Sequence, residues 1–234
     1  MKDGPSTART ALIVGASRGL GFGLVQRHLE RGWRVIATVR KPAEALDGLA
    51  AEAGGRLTIE TLDINRPEQL AALAERLAGT SLDLLLVNAG VMNDPATPIG
   101  DTTDDEFFHI MRSNVLSPMR VVEQLGTLVP AGGTIAVMSS GLGSVANNTA
   151  GRYETYRASK AALNTLLRSA AVRGRDSGRC YLAVAPGWVR TDMGGADALL
   201  DVATSTGGIA DMLEARRGQR GVAFVDYQNK EVAW

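Results

Sequence analysis

"TALIVGASRGLG", Thr10 to Gly21, decides how this chain is read. Its first five residues, 10–14, are mostly apolar and suited to a strand. They run directly into a turn with glycines at 15, 19 and 21. The segment beyond, "GLVQRHLERG", carries apolar residues at helical spacing and stops at Gly32. Strand, glycine turn and helix in that order open a βαβ unit. In a doubly wound sheet, ligands sit beyond the carboxyl ends of the strands, where the strand order reverses. A glycine turn there lets backbone amides approach a diphosphate, and the helix N-terminus favours its charge. The spacing is G-x-x-x-G-x-G rather than G-x-G-x-x-G. Its place between strand and helix points to a dinucleotide.

The same alternation continues to the end of the chain. Strands are expected at "RVIATV" (34–39), "RLTIETL" (56–62), "LDLLLVNAG" (82–90), "GTIAVMSS" (133–140), "CYLAVAPG" (180–187) and "GVAFVDY" (221–227). Between them lie "PAEALDGLAAEAG", read as a helix opened by Pro42, and "RPEQLAALAERLAG", with Pro67 near its start and Gly79 after its end. "DDEFFHIMRSNVLSPMRVVEQLGTLV" reads as mostly one long helix, and another begins near Tyr156. Strict alternation implies a parallel sheet of about seven strands with helices on both faces, in a single domain over 1–234. Residues 1–9 are expected to be a loose tail. The stretch 190–220, rich in Gly, Asp and Thr, is expected to be a loop covering the substrate.

Composition narrows the class. The 234 residues hold 25 Lys plus Arg against 25 Asp plus Glu. This neutral balance offers no electrostatic case for nucleic acid or an acidic membrane. The single cysteine, Cys180, cannot make an internal disulfide and has apolar neighbours, so an inert buried thiol is expected. No apolar run reaches the roughly 18 residues of a membrane span, and the N-terminus lacks the apolar core of a secretion signal. These features point to a cytoplasmic protein. His28 and His109 lie in helical segments without metal-ligand partners, so no metal site is expected.

About 20 residues beyond a glycine turn of this kind, an acidic residue usually takes the adenosine ribose. Here the second strand ends in Val39, Arg40 and Lys41. No carboxylate is present to accept from a 2′-hydroxyl, and two cations stand there instead. Arg18, inside the glycine turn, adds a third. Guanidinium groups match phosphate geometry, so a 2′-phosphate and NADP(H) are expected, with NAD(H) as the lesser cofactor. Further along, "YETYRASKAAL" runs from Tyr153 to Leu163. Lys160 follows Tyr156 by four residues, one helical turn, so the two share a face. Tyr153 has Arg157 at its fourth following position instead.

These motifs together resemble the short-chain dehydrogenase/reductase family along nearly the whole chain. "GASRGLG" is similar to its cofactor loop, and "NAG" at 88–90 to the motif after its fourth strand. Asn114 in "SNVLSP", Ser140, the Y-x-x-x-K of Tyr156 and Lys160, and "PGWVRTDM" with Thr191 complete the set. "SSGLGSVANNTAGRYETYRASKAAL" and "PGWVRTDMGG" resemble the subgroup of bacterial C-factor-like proteins and small carbonyl reductases. The resemblance implies a Rossmann-like fold and hydride transfer from the nicotinamide to an aldehyde or ketone. Negative charge then builds on the carbonyl oxygen, which needs a proton donor and aimed hydrogen bonds.

By this resemblance Tyr156 is the acid/base, and Lys160 lowers its pKa and holds the nicotinamide ribose. Ser140 positions the carbonyl, and Asn114 holds a water linking Lys160 to solvent. Ser139 and Ser140 point to opposite faces of a strand, so one of them faces the site; the family uses the second, and Ser144 is a more distant candidate. The resemblance places the cofactor along Gly15, Ser17, Arg18, Gly19, Leu20 and Gly21, then Arg40, Asp63 and Ile64. It continues through Asn88, Ala89, Gly90, Tyr156, Lys160, Pro186, Gly187, Val189 and Thr191. Two departures stand out. Val14 occupies a position where many members carry threonine, and the interval from Ser140 to Tyr156 is longer than the family's commonest one. The extra residues are expected to bulge within "SVANNTAGR" and reshape the pocket rim. Pocket walls are expected from 91–100, 141–155 and 188–210, with Trp188 either lining the pocket or packing. Alternative readings are a C-factor-type signalling protein with little turnover and a secondary-alcohol dehydrogenase working in the oxidising direction. A homodimer or homotetramer through the two long helices, about 103–129 and 152–175, is a further possibility.

Overall fold

The structure is a computed structural model and describes residues 8–234. Seven strands form one sheet: β1 (Thr10–Val14), β2 (Arg34–Val39), β3 (Leu57–Thr61), β4 (Leu84–Val87), β5 (Thr134–Met138), β6 (Cys180–Ala185) and β7 (Gly221–Asp226). Their order is β3-β2-β1-β4-β5-β6-β7, and every pairing is parallel. β1 is flanked by β2 on one side, with Val14 opposite Thr38, and by β4 on the other, with Val14 opposite Val87. The order therefore reverses at β1, and a crevice opens beyond its carboxyl end. β4, β5 and β6 are buried throughout, which explains their unbroken apolar runs.

Alternate residues of each strand feed two cores. Leu12, Val14, Leu85 and Val87 pack with Leu70 and Leu73 of α3 (Pro67–Arg76), Val121 and Val122 of α5 (Ser117–Leu125), and Leu163 and Leu167 of α6 (Glu154–Arg173). Ala11, Ile13, Leu84 and Leu86 pack on the other face. Their partners are Leu24 and Val25 of α1 (Gly19–Glu30), Leu46 of α2 (Glu44–Glu52), and Ile209 and Met212 of α7 (Val202–Ala215). Each large side chain so buried contributes about 1.5–3 kcal/mol. These cores hold fixed the strand ends on which the crevice is built.

Four expectations are corrected. First, 190–220 is not one loop, since α7 occupies 202–215. Asp201 caps α7 by accepting from Thr204 N at 2.7 Å. Its buried face includes Ser205 and Thr206, so small polar residues hid the helical stripe. Second, the long helix over 104–129 is interrupted. After α4 (Asp104–Met111), a π-helical turn covers Arg112–Leu116, and a 3-10 turn at Gly126–Leu128 follows α5. Pro118 has no amide to give to the carbonyl four residues back, that of Asn114, and its ring crowds that carbonyl. Third, α2 starts at Glu44 with Ala43 as its N-cap, so Pro42 precedes the helix rather than opening it. Fourth, Arg9 is not loose. Its guanidinium bonds Glu214 Oε2 at 2.6 Å and lies 4.3 Å from the centre of the Trp33 ring. Residues 1–7 of the expected tail lie outside the described residues.

Candidate active site

The crevice beyond β1 and β4 is a cleft of about 480 Å³. Its first wall is the glycine turn. Gly15 has φ +86°, and a Cβ there would lie 2.9 Å from Ala89 N. A Cβ on Gly21 would lie 2.1 Å from Gly15 O, so α1 starts flush against the turn. Thr38 Oγ1 accepts from Gly15 N at 3.1 Å, and Asn88 Nδ2 donates to Gly15 O at 2.8 Å. These bonds brace the turn from β2 and from the end of β4, although Val14 has no hydroxyl to contribute. Ser17, Arg18, Gly19 and Leu20 line the cleft, whereas Gly21 lies buried behind it.

Arg40, Asp63 and Ile64 line the cleft along the carboxyl ends of β2 and β3, and Asn88, Ala89 and Gly90 follow β4. Arg40 is exposed. Arg18 reaches over to Asp192, forming an exposed ion pair across the mouth. Lys41 is exposed and outside the lining. Pro186 and Thr191 line the far wall. Gly187 and Val189 are not part of the lining: Gly187 is exposed with φ +82°, and Val189 is buried and bridged to Leu200. That bridge closes residues 189–200 into a short loop. Thr191 sits against the glycine turn, 3.4 Å from where a Gly19 Cβ would be.

Tyr156 and Lys160 lie on the first turns of α6, both lining the cleft and both buried. The Lys160 ammonium lies 5.6 Å from the centre of the Tyr156 ring and donates to Met138 O at 2.8 Å. Of the serine pair, Ser139 Oγ donates to buried Asn164 Oδ1 at 2.6 Å. Ser139 lines the cleft, whereas Ser140, which accepts from Leu142 N at 3.1 Å, stands close enough to Tyr156 to pull its pKa down. Ser144 is buried and accepts from Asn147 N. Tyr153, the N-cap of α6, adopts the left-handed region at φ 66° and lies outside the cleft lining. A bulky residue so placed costs about 1–3 kcal/mol, and Tyr153 N is held by Pro95 O at 3.2 Å.

Asn114 is buried in the π-helical turn. It accepts from Val91 N at 2.8 Å and donates to Val91 O at 2.8 Å and Ser159 Oγ at 3.0 Å. This pins the segment after "NAG" to α6. A Cβ on Gly90 would be 3.3 Å from both Asn114 Oδ1 and Lys160 Nζ, so the two side chains converge on Gly90. The direction of the Tyr156 pKa differs from the sequence expectation that Lys160 lowers it. Burial pushes the Tyr156 phenol up to about 12, partly offset by the Ser140 hydrogen bond. Burial also pulls the Lys160 ammonium down to about 8. Loss of water from the buried pair outweighs the effect of the neighbouring ammonium.

Sequence reasoning missed Asn65, His109 and Ser113, all of which line the cleft, whereas Arg190 and Asp192 fall within the expected wall 188–210. Asn65 and Ser113 come together only because Asn65 Nδ2 donates to Ser113 Oγ at 2.9 Å from 48 residues away, a contact that no local pattern reveals. Trp188 is half exposed and donates from Nε1 to Gly194 O at 2.8 Å, bracing the 189–200 loop. Among the described residues no cluster of metal ligands occurs, and no helix is long and apolar enough to cross a membrane. A second cavity, about 450 Å³ and lined by His28, Trp33 and Asp83, opens at the other end of the strands and holds none of the motif residues. The glycine cradle, whose backbone leaves no room for a Cβ at Gly15 or Gly21, and Arg40 beyond β2, exposed and without an ion-pair partner among the described residues, fit a dinucleotide carrying an extra phosphate.

Comparison with known proteins agrees with this geometry. Residues 15–215 match the family described as Enoyl-(Acyl carrier protein) reductase. The chain is 35% identical over 167 residues to the C-signal of Myxococcus xanthus, covering 70% of this chain and 100% of that protein. A solved short-chain dehydrogenase/reductase from Burkholderia multivorans with bound NADP is 49% identical, with a TM-score of 0.94, covering 97% of this chain and 100% of that one. A carbonyl reductase from Pseudomonas aeruginosa PAO1 in complex with NADP is 36% identical, with a TM-score of 0.90 and the same coverage. The chain belongs to the short-chain dehydrogenase/reductase family of NAD(P)-dependent oxidoreductases.

Proposed function

We propose that this family member uses NADPH to reduce an aldehyde or ketone to an alcohol, with Tyr156 as the proton donor. The observation that carries the reading is the buried Tyr156 beside Lys160 in a cleft that begins at the glycine turn. Bound NADPH supplies the hydride. The glycine turn and the α1 N-terminus receive the diphosphate, and Arg40 takes the 2′-phosphate with Arg18. Ser140 orients the carbonyl oxygen. Tyr156, protonated at neutral pH because burial pushes it up to about 12, gives its proton to the oxygen as charge builds. Lys160 binds the nicotinamide ribose and stabilises the phenolate left behind. Asn114 fixes the Val91 segment, and its remaining acceptor capacity serves a water beside Lys160. The NADP bound by the Burkholderia and Pseudomonas relatives supports the cofactor choice.

Residues 189–200 cover the cofactor mouth, closed by the Val189–Leu200 bridge and tied to the glycine turn through Asp192 and Arg18. Exposed Phe108, Leu116, Leu166 and Val172 on α4, the π-helical turn and α6 favour pairing of two chains through those helices. Likeness to the C-signal keeps a signalling role as the second reading. The test is NADPH oxidation with a panel of aldehydes and ketones. Tyr156→Phe should lower turnover by about 10²–10⁴-fold and leave NADPH binding intact. Near-normal turnover in Tyr156→Phe defeats the mechanism. A wild type that binds NADPH and reduces no member of the panel favours the signalling reading.

A further inference from the structure

Asp192 brings a carboxylate into the cleft that Arg18 and Arg40 line with cations. Its side chain is 71% exposed and pairs with Arg18, which is 74% exposed. Among the described residues this is the one hydrogen bond or ion pair between the glycine turn, 15–21, and the covering loop, 188–200. The neighbouring cation of the loop is engaged elsewhere, since Arg190 donates to Ala198 O at 2.9 Å and stands 3.9 Å from Asp201. Of the two cations assigned to the 2′-phosphate, Arg18 alone is held by a carboxylate among the described residues.

The loop does not need this pair to keep its shape. Val189 is bridged to Leu200, Arg190 N donates to Leu200 O at 2.8 Å, and Leu200 N donates to Trp188 O at 3.0 Å. Thr191 Oγ1 accepts from Gly194 N at 3.1 Å, and Gly195 N donates to Thr191 O at 2.9 Å. An exposed ion pair adds little to stability, so its consequence falls on the ligand. A 2′-phosphate that recruits Arg18 must first break the pair, and it then meets the freed carboxylate as a like charge. A dinucleotide without that phosphate leaves the pair intact.

We propose that Asp192 is a specificity-determining residue, an internal competitor that holds Arg18 from the 2′-phosphate and so narrows the preference for NADP(H) over NAD(H). The inference rests on the reading of Arg18 and Arg40 as the 2′-phosphate site. Asp192→Asn keeps the shape of the side chain and removes its charge. In calorimetric titrations it should lower the Kd of NADPH about two- to fivefold, the range of an exposed ion pair, and move that of NADH by less than about 1.5-fold. Adenosine 2′,5′-bisphosphate against AMP should show the same contrast without the nicotinamide half. Asp192→Glu, which restores the charge, should keep the wild-type ratio of NADPH to NADH affinity. In an Arg18→Gln background, Asp192→Asn should no longer tighten NADPH, because no guanidinium is left to release. An unchanged ratio of the two affinities in Asp192→Asn overturns the proposal. Equal tightening of both cofactors, or a gain that survives Arg18→Gln, also overturns it, by making Asp192 a general repulsive charge. The 2′-phosphate reading fails on a different result, a wild type that binds both cofactors alike and an Arg40→Ala that weakens both equally, while the change of ratio in Asp192→Asn still decides the competition.

Discussion

Replacing Arg40 tests the cofactor assignment most directly. Arg40 is the first residue beyond β2, exposed, and without an ion-pair partner among the described residues. Arg18 would first have to leave its exposed pair with Asp192, so Arg40 is the cation that meets the phosphate first. A hydrogen bond to a charged group is worth roughly 1.5–3 kcal/mol. This one forms in an open, solvated cleft, where screening trims it to about 1–2 kcal/mol. That corresponds to about a five- to thirtyfold preference. Arg40→Ala should raise the Kd of NADPH by that factor and move the Kd of NADH by less than about twofold. Arg40→Asp should go further, since it repels the phosphate and offers the free ribose an acceptor. Both cofactors are titrated calorimetrically against wild type and the two variants, at low and high salt. The NADPH advantage should shrink as salt rises. Equal affinity of the wild type for both cofactors, or an equal loss for both in Arg40→Ala, refutes the assignment.

Three further outcomes follow from burial and close packing. Lys160 has a folded pKa of about 8 against 10.5, so its burial cost is full below pH 8 and fades as pH rises towards 10.5. Lys160→Met should therefore flatten that rise in urea-melt stability and gain about 2–3 kcal/mol at pH 7 while abolishing turnover; a loss of stability contradicts this. His28 is pulled by burial to about 4 from 6.5, so its folded form takes up a proton less readily than the unfolded chain. Stability should fall by about 3 kcal/mol as pH drops from 6.5 to 4. His28→Asn, which can still donate to Leu24 O, should remove that slope, and an unchanged slope assigns the acid sensitivity elsewhere. Gly21→Ala should cost about 2–3 kcal/mol, or about 5–10 °C in Tm. Its methyl would meet Gly15 O at 2.1 Å and Asn88 Nδ2 at 2.8 Å, and calorimetry of the unliganded protein measures the loss.

Local chemistry made much of this molecule legible in one dimension. Strands β1 to β7 follow from short apolar runs, because parallel strands covered on both faces need apolar residues throughout. The glycine turn is legible because positive φ at Gly15 and the absence of room at Gly21 exclude other residues. Tyr156 and Lys160 meet because one helical turn separates them. Helix α7 was hidden because its buried face uses Ser205 and Thr206, whose hydroxyls bond Pro186 O and Val202 O. The break at Asn114 was hidden because a π-helical turn keeps the helical apolar spacing nearly intact. Tertiary structure alone decided which serine faces Tyr156, since Ser139 is taken by Asn164, 25 residues away. It also decided that Arg18 meets Asp192, that Asn65 meets Ser113, and that Trp234 holds Ala146. It reversed the expected pKa of Tyr156, because desolvation depends on everything packed around the phenol. Hydrogen bonding to neighbours along the chain is written in spacing, whereas burial and contacts across dozens of residues exist only once the sheet and its helices have closed over one another.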